Sequence, residues 1–210
     1  MTGFFQTASG QRCALSAVMG LRERKKLDAW RTIRSTALRL ISERGFDAVS
    51  VEDIAAAAGV SRTTFFTYFP NKEAVVHDLD PAELQQWREL LEDPRDGMPL
   101  WDALTEVLLG LARLLEQRLP LQKRLFAQSP ELCQSSRGPC ASYQPDLEEW
   151  LSRRTTDGDD LRTALTFSTA MAACTTAIAA WDPDDSYEHF REILRDCLRW
   201  AGAGLARPVS

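Results

Sequence analysis

The sequence predicts an all-α protein in two parts, a small three-helix head and a larger helical body. Three observations carry this. Apolar residues recur at three- and four-residue spacing through most of the chain, and no alternating strand pattern persists. Residues 50–69 read as two short helices joined by a tight glycine turn. Charge is segregated: residues 20–72 carry a net +4 and residues 73–210 a net −10, inside an overall charge of −5. A basic head on an acidic body is the asymmetry expected when only one end meets phosphates.

Residues 1–20 are expected to be a disordered extension. They hold one arginine and no sustained apolar run, so they lack a signal-peptide layout, and Met19 is an alternative start just before the regular patterning begins. Leu21–Lys26 is a basic approach segment, with Arg24 and Lys25 as candidate phosphate contacts. Leu27, Trp30, Ile33, Ala37, Leu40 and Ile41 then place one amphipathic helix over 26–44, ended by Gly45. Phe46 and Val49 pack the link that follows.

Ser50 and Asp53 form the N-cap and third helical residue of an approximate capping box. Val51, Ile54, Ala55 and Ala58 share a helical face. Gly59 supplies the positive φ that stops the helix, and Ser61 caps a second helix with Phe65 and Phe69 inward. Ala55 is small enough to let the two helices cross closely. That is the recipe of a helix-turn-helix, whose second helix enters the DNA major groove. With the first helix behind it, the head is a three-helix DNA-binding domain over 21–80.

Asn71 starts another helix, which Asp80-Pro81 breaks or kinks before Ala82–Leu91 continues it. Glu92–Pro99, rich in Asp, Pro and Gly, is the linker into the body, assigned to 81–210. There the pattern predicts Leu100–Leu119, a break at Pro120, Leu121–Ala127, and a piece or kinked pair over Glu131–Leu151 interrupted near Gly138-Pro139. Residues 156–159 cap a long helix to Ala180, Asp182–Asp185 turn, Ser186 caps the last helix, and Ala203–Ser210 fray. Thr163–Trp181 carries no charge and is long enough to span a bilayer, but its five threonines and many alanines fit a buried helix better, so no membrane is expected.

The stretch from about Arg24 to Glu73 resembles the TetR family of bacterial transcriptional regulators. The matching pieces are Glu-Arg-Gly-Phe at 43–46, the run Val51–Ser61, Thr64–Phe69 and Lys72-Glu73, about a quarter of the chain. The resemblance implies a homodimer that binds a palindromic operator on double-stranded DNA and represses transcription until a small molecule in the larger domain weakens the grip. By position, Arg62 and Thr63 fall where family members touch base edges, and Thr64 at a DNA contact near the backbone. Ser50, Tyr68 and Lys72 fall on phosphate-contacting positions. The chemistry agrees, since arginine donates two parallel bonds to guanine and a threonine methyl meets the thymine methyl. Phe66 departs from the pattern: many members carry a tyrosine there whose hydroxyl meets a phosphate. It is read here either as leaning on a sugar or as core.

The resemblance also assigns Thr163–Ala180 and Ser186–Trp200 to a four-helix dimer interface. An effector, lipophilic by the company it would keep, is expected among Trp101, Leu104, Leu108, Leu111, Phe126, Trp150, Phe167 and Met171, with plain core as the competing reading. The cysteines (Cys13, Cys133, Cys140, Cys174, Cys197) are odd in number and lack a C-x-x-C pair, which fits reduced thiols in a cytoplasm. A redox-responsive regulator built on Cys133 and Cys140 is one alternative, and a helical protein with no ligand response another. No glycine-rich phosphate loop, metal-ligand spacing or nucleophile beside a histidine suggests an enzyme or a cofactor. Acidic clusters at 157–160 and 182–185 sit at helix starts, where acids are favoured anyway.

Overall fold

The computed structural model describes residues 20–92, 95, 97–129, 132, 140–155 and 160–205. All regular structure among them is helical, and the chain divides into two compact units, residues 1–84 with 127–135, and residues 85–126 with 136–210. The expected disordered extension lies almost wholly outside the described residues, as do the expected cap at 156–159, the interruption at 136–139 and the chain end beyond 205.

In the first unit, α1 runs Leu21–Arg44, five residues longer at its start than the apolar periodicity implies. The added turn is built from Leu, Arg, Glu and Lys, all good helix formers, with Glu23 near the positive helix end and the Arg24 N–H donating to Gly20 O at 3.0 Å. The basic segment is therefore helix rather than an approach to one. Ile33, Ala37, Leu40 and Ile41 form its buried stripe, and Gly45 (φ 87°) closes it through its N–H to Ile41 O at 2.8 Å.

Helix α2 (Val51–Ala57) starts on the expected capping box: Ser50 Oγ accepts from Asp53 N, and Asp53 Oδ2 accepts from Ser50 N at 2.9 Å. Gly59, at φ 69°, makes the turn, and Val60 N–H returns to Ala55 O at 2.9 Å. Helix α3 (Arg62–Tyr68) is capped by Ser61, whose Oγ accepts from Thr64 N at 3.0 Å. Phe65 and Phe69 are fully buried, and Trp30 of α1 stacks on Phe69 with centroids 5.5 Å apart. The short α4 (Ala74–His77) takes its first N–H bond from Ala74 to Asn71 Oδ1 at 2.9 Å. Asp78–Asp80 break it from α5 (Pro81–Glu92). Asp80 joins both sides of that break, accepting Arg31 Nε and Nη2 at 2.7 and 2.8 Å and capping Ala82 N at 2.8 Å. Residues 127–135 add to this unit: Leu132 is buried, and Ser129 Oγ donates to Asp47 Oδ1 at 3.2 Å.

The second unit is built on α6 (Leu100–Leu114), whose Leu104, Val107, Leu108 and Leu111 are buried. A turn at 115–118 leads to α7 (Leu119–Gln128). The sequence placed a break at Pro120, but that proline sits in the first turn of α7. A residue there has no intrahelical N–H partner to lose, so proline opens the helix rather than ending its predecessor. A 3₁₀ turn (Ala141–Tyr143) precedes α8 (Gln144–Arg154), which is followed by α9 (Asp160–Ala180) and α10 (Tyr187–Leu205). Ser186 caps α10 through His189 N at 3.2 Å, as expected.

Among the described residues, α9 is the one helix long and apolar enough to cross a membrane by length and composition. It packs against α10, α8 and α6. Its C-terminal carbonyls of Ile178 and Ala179, with Trp181 O, accept from Lys123 Nζ, a cation placed at the negative end of a helix. Where α10 crosses α6, a Cβ on Gly202 would lie 2.0 Å from Trp101 Nε1, so only glycine fits that approach.

Candidate nucleic-acid interface

The helix-turn-helix sorts the aromatic residues of α3 by side. Phe65 faces inward, while Phe66 is 43 % exposed and held edge-on by Phe65 (centroids 5.4 Å apart, planes at 89°). Phe66 is thus not core. It is a rigid apolar platform on the outer face, and the Arg62 guanidinium carbon lies 5.5 Å from its centroid. Arg62 is also within 3.0 Å of Glu52 Oε1 through its Nε, joining the first turns of α3 and α2. Glu52 escaped the sequence reading, since it is ten residues away and simply looks like an acid favoured in a first turn.

Thr63 is exposed beside Arg62, and Thr67 Oγ1 back-bonds to its carbonyl at 3.0 Å. Thr64 is half-buried, with its hydroxyl 2.8 Å from Ser61 Oγ. Tyr68 is half-buried at the end of α3. Ser50 is exposed at the start of α2, its hydroxyl also donating to Asp53 Oδ2 at 2.5 Å. The Ser50 hydroxyl and N–H together hold the Asp53 carboxyl below the usual carboxylate range, so the box keeps its charge at neutral pH. Arg24 and Lys25 lie exposed on the first turns of α1.

Lys72 has a role that its position alone did not reveal. Its Nζ donates to Phe46 O at 2.7 Å and Val49 O at 3.0 Å, and sits 4.0 Å from the Phe46 ring centroid. It ties down the link between α1 and α2. Two of its three donors are spent inside the fold, which leaves one for a further partner.

In the second unit, a cleft of about 720 Å³ is lined by residues of α5, the 95–100 segment and α8. Of the residues expected from sequence to line an effector site, Trp150 is on its wall. Leu104, Leu108 and Leu111 are buried, and Phe126, Phe167 and Met171 half-buried. Trp101 donates its indole N–H to Leu198 O at 3.2 Å, pinning α6 to α10. Arg88, Arg153 and Arg154, with Glu92 and Glu149, give the cleft a more charged wall than a purely lipophilic occupant requires.

Burial pushes the Cys140 thiol up to about 11, and also raises Cys174 and Cys197, so at neutral pH these thiols are almost wholly protonated. That is opposite to the depressed pKa of a reactive cysteine. Cys133 lies outside the described residues. Of the second acidic cluster, Asp182 Oδ1 accepts from Asp184 N at 2.9 Å, and Asp184 pairs with Arg124 at 2.8 Å, so this cluster is absorbed by the α9–α10 turn.

The fold agrees with comparisons to known proteins. The profile of the "Bacterial regulatory proteins, tetR family" matches residues 33–79. The transcriptional regulator MftR of Mycobacterium tuberculosis is 31 % identical over 182 residues, covering 83 % of this chain and 90 % of MftR. The HTH-type regulator EthR of Mycolicibacterium smegmatis is 49 % identical over 67 residues, 32 % of this chain and 31 % of EthR. FadR of Thermus thermophilus, a TetR-family repressor solved in complex with lauroyl-CoA, superposes with a TM-score of 0.54 at 23 % identity, covering 86 % of this chain and 97 % of FadR. A capped helix-turn-helix matched by the family profile, and a relative aligned along nearly its full length, establish that this chain is a DNA-binding transcriptional regulator of the TetR family.

Proposed function

We propose that the chain works in the cytoplasm as a homodimeric repressor that binds an inverted-repeat operator and is released by a small molecule held in its second domain. The observation that carries this reading is the outer face of α3. Arg62 and Thr63 stand exposed while Phe65 and Phe69 are buried, so the helix offers base-reading chemistry on a rigid footing. Arg62 takes a guanine, Thr63 a neighbouring base edge, and Ser50, Thr64, Tyr68, Arg24 and Lys25 the flanking backbone, with the remaining donor of Lys72. Phe66 serves as an apolar contact, having no hydroxyl to give a phosphate.

One seven-residue recognition helix reads too few base pairs to mark a genomic site. Two-fold pairing, with recognition helices about 34–36 Å apart, doubles the reading. Support for pairing comes from α9, uncharged from Thr163 to Ala180, and α10, which together leave Leu161 (84 %), Leu165 (53 %) and Trp200 (64 %) exposed. A second copy of the chain is the occupant that gives the operator two-fold symmetry.

The cleft beside Trp150 is the proposed effector site, and its mixed wall suits an occupant with both apolar and charged parts. Sedimentation of the chain with its selected duplex tests the assembly: two chains per inverted repeat are expected, and one chain per duplex at saturation would overturn the reading. An effector found by thermal shift should lower operator affinity in the wild type and do so more weakly in Trp150→Ala.

A further inference from the structure

The Arg62–Glu52 pair has no stabilising purpose that its geometry supports. Both side chains are more than half exposed, and an isolated surface pair of this kind contributes little to folding. Its effect is on where the guanidinium points. Glu52 Oε1 faces Nε at 3.0 Å, the Phe66 ring lies under the guanidinium carbon, and Phe65, fully buried, fixes the Phe66 ring in turn. Arginine presents its five N–H groups in a rigid fork. With Nε facing a carboxylate, the two Nη groups remain as the second two-donor edge of the fork. That edge supplies the parallel donors that guanine O6 and N7 accept.

We propose that Glu52 is a positioning residue of DNA recognition, which holds the Nε edge of Arg62 so that its Nη pair is presented to a guanine rather than to a phosphate. This rests on the reading of Arg62 as a base contact. A freely rotating arginine on this surface would satisfy itself on the nearest phosphate oxygens, which gives affinity without sequence preference. A carboxylate alongside opposes that in two ways. It occupies the edge that would turn toward the backbone, and it repels the phosphates themselves. Glu52 therefore lowers affinity for arbitrary DNA and raises the preference for the read base pair.

The test uses the full chain and two 30-base-pair duplexes: the inverted repeat that the wild type selects from a randomised pool, and the same repeat with the Arg62-read pair exchanged in both halves. That pair is the one at which Arg62→Ala loses discrimination. Glu52→Gln keeps the side-chain shape and removes the charge. It is expected to bind the exchanged duplex more tightly and to shrink the wild-type preference by about tenfold, within the range of one bidentate base contact. In an Arg62→Ala background the same substitution should leave the preference unchanged. Equal gains on both duplexes, with the preference intact, would overturn the proposal and reduce Glu52 to a repulsive charge. A preference that changes just as much without Arg62 would overturn it too. If Arg62→Ala itself discriminates like the wild type at every position, the base-reading role fails first, and that failure is distinct from one arising at Glu52. Circular dichroism and the melting temperature of each variant confirm that α2 remains folded.

Discussion

Replacing Lys72 with methionine should cost stability as well as DNA affinity. Methionine keeps the apolar stem and removes the ammonium. The structure gives that ammonium two short bonds, 2.7 Å to Phe46 O and 3.0 Å to Val49 O, and a ring face at 4.0 Å. A hydrogen bond to a charged group is worth about 1.5–3 kcal/mol net. The two bonds share one half-buried cation, so they do not simply add. The ring contact adds about 0.5–1 kcal/mol, the lower end of the range for such contacts. Allowing for solvent screening, the expected loss is about 2 kcal/mol. Urea denaturation followed by circular dichroism, with duplex affinity measured well below the midpoint, separates the two effects. A loss of about 2 kcal/mol is expected, with a several-fold loss on matched and scrambled duplexes alike. Wild-type stability alongside weakened DNA binding would refute the tie and leave Lys72 as a phosphate contact alone.

Three further outcomes follow from named contacts. Burial would raise the Asp80 carboxyl, but the Arg31 hydrogen bonds and the Ala82 N–H outweigh it and hold it below the usual range. Its contribution is therefore present above about pH 4 and lost as pH falls through the lower folded-state value. Asp80→Asn should cost about 1–2 kcal/mol at pH 7, after screening at the partly exposed Arg31, and flatten the acid limb of stability against pH; an unchanged limb counts against the pair. Gly202→Ala should lower the melting temperature despite the better helix propensity of alanine, because Trp101 must leave its bond to Leu198 O; a rise would show that α10 shifts freely. Leu165→Glu places a charge on the exposed face of α9 and should yield monomers by light scattering, with operator affinity lost; an unaltered dimer would move the interface elsewhere.

The head was legible where local rules are strict. Ser50 with Asp53, Gly59 and Asn71 each have a single backbone purpose, and Phe65 with Phe69 can share only the inner side of a helix as short as α3. The start of α1 was not legible, because its first turn is solvent-exposed and apolar periodicity carries no signal there. Pro120 misled for a related reason: a proline within a pattern marks a boundary, but not which side of it the helix occupies. Lys72 and Glu52 were hidden by distance along the chain. Their partners lie 23 and 26 residues away for Lys72 and ten away for Glu52, and neither spacing has a motif. The body's apolar residues announced a core but not a cleft. A concave site depends on how helix ends and side chains such as Arg88 and Arg153 meet, which periodicity does not encode.

On the proposed reading, two copies of α3, each reading with Arg62 and Thr63, bind one two-fold site. Selection of bound duplexes from a randomised pool tests it most directly. An inverted repeat is expected, with half-sites one helical turn apart and a guanine in each half whose preference disappears in Arg62→Ala. A single unrepeated half-site, or no enrichment at all, would contradict it.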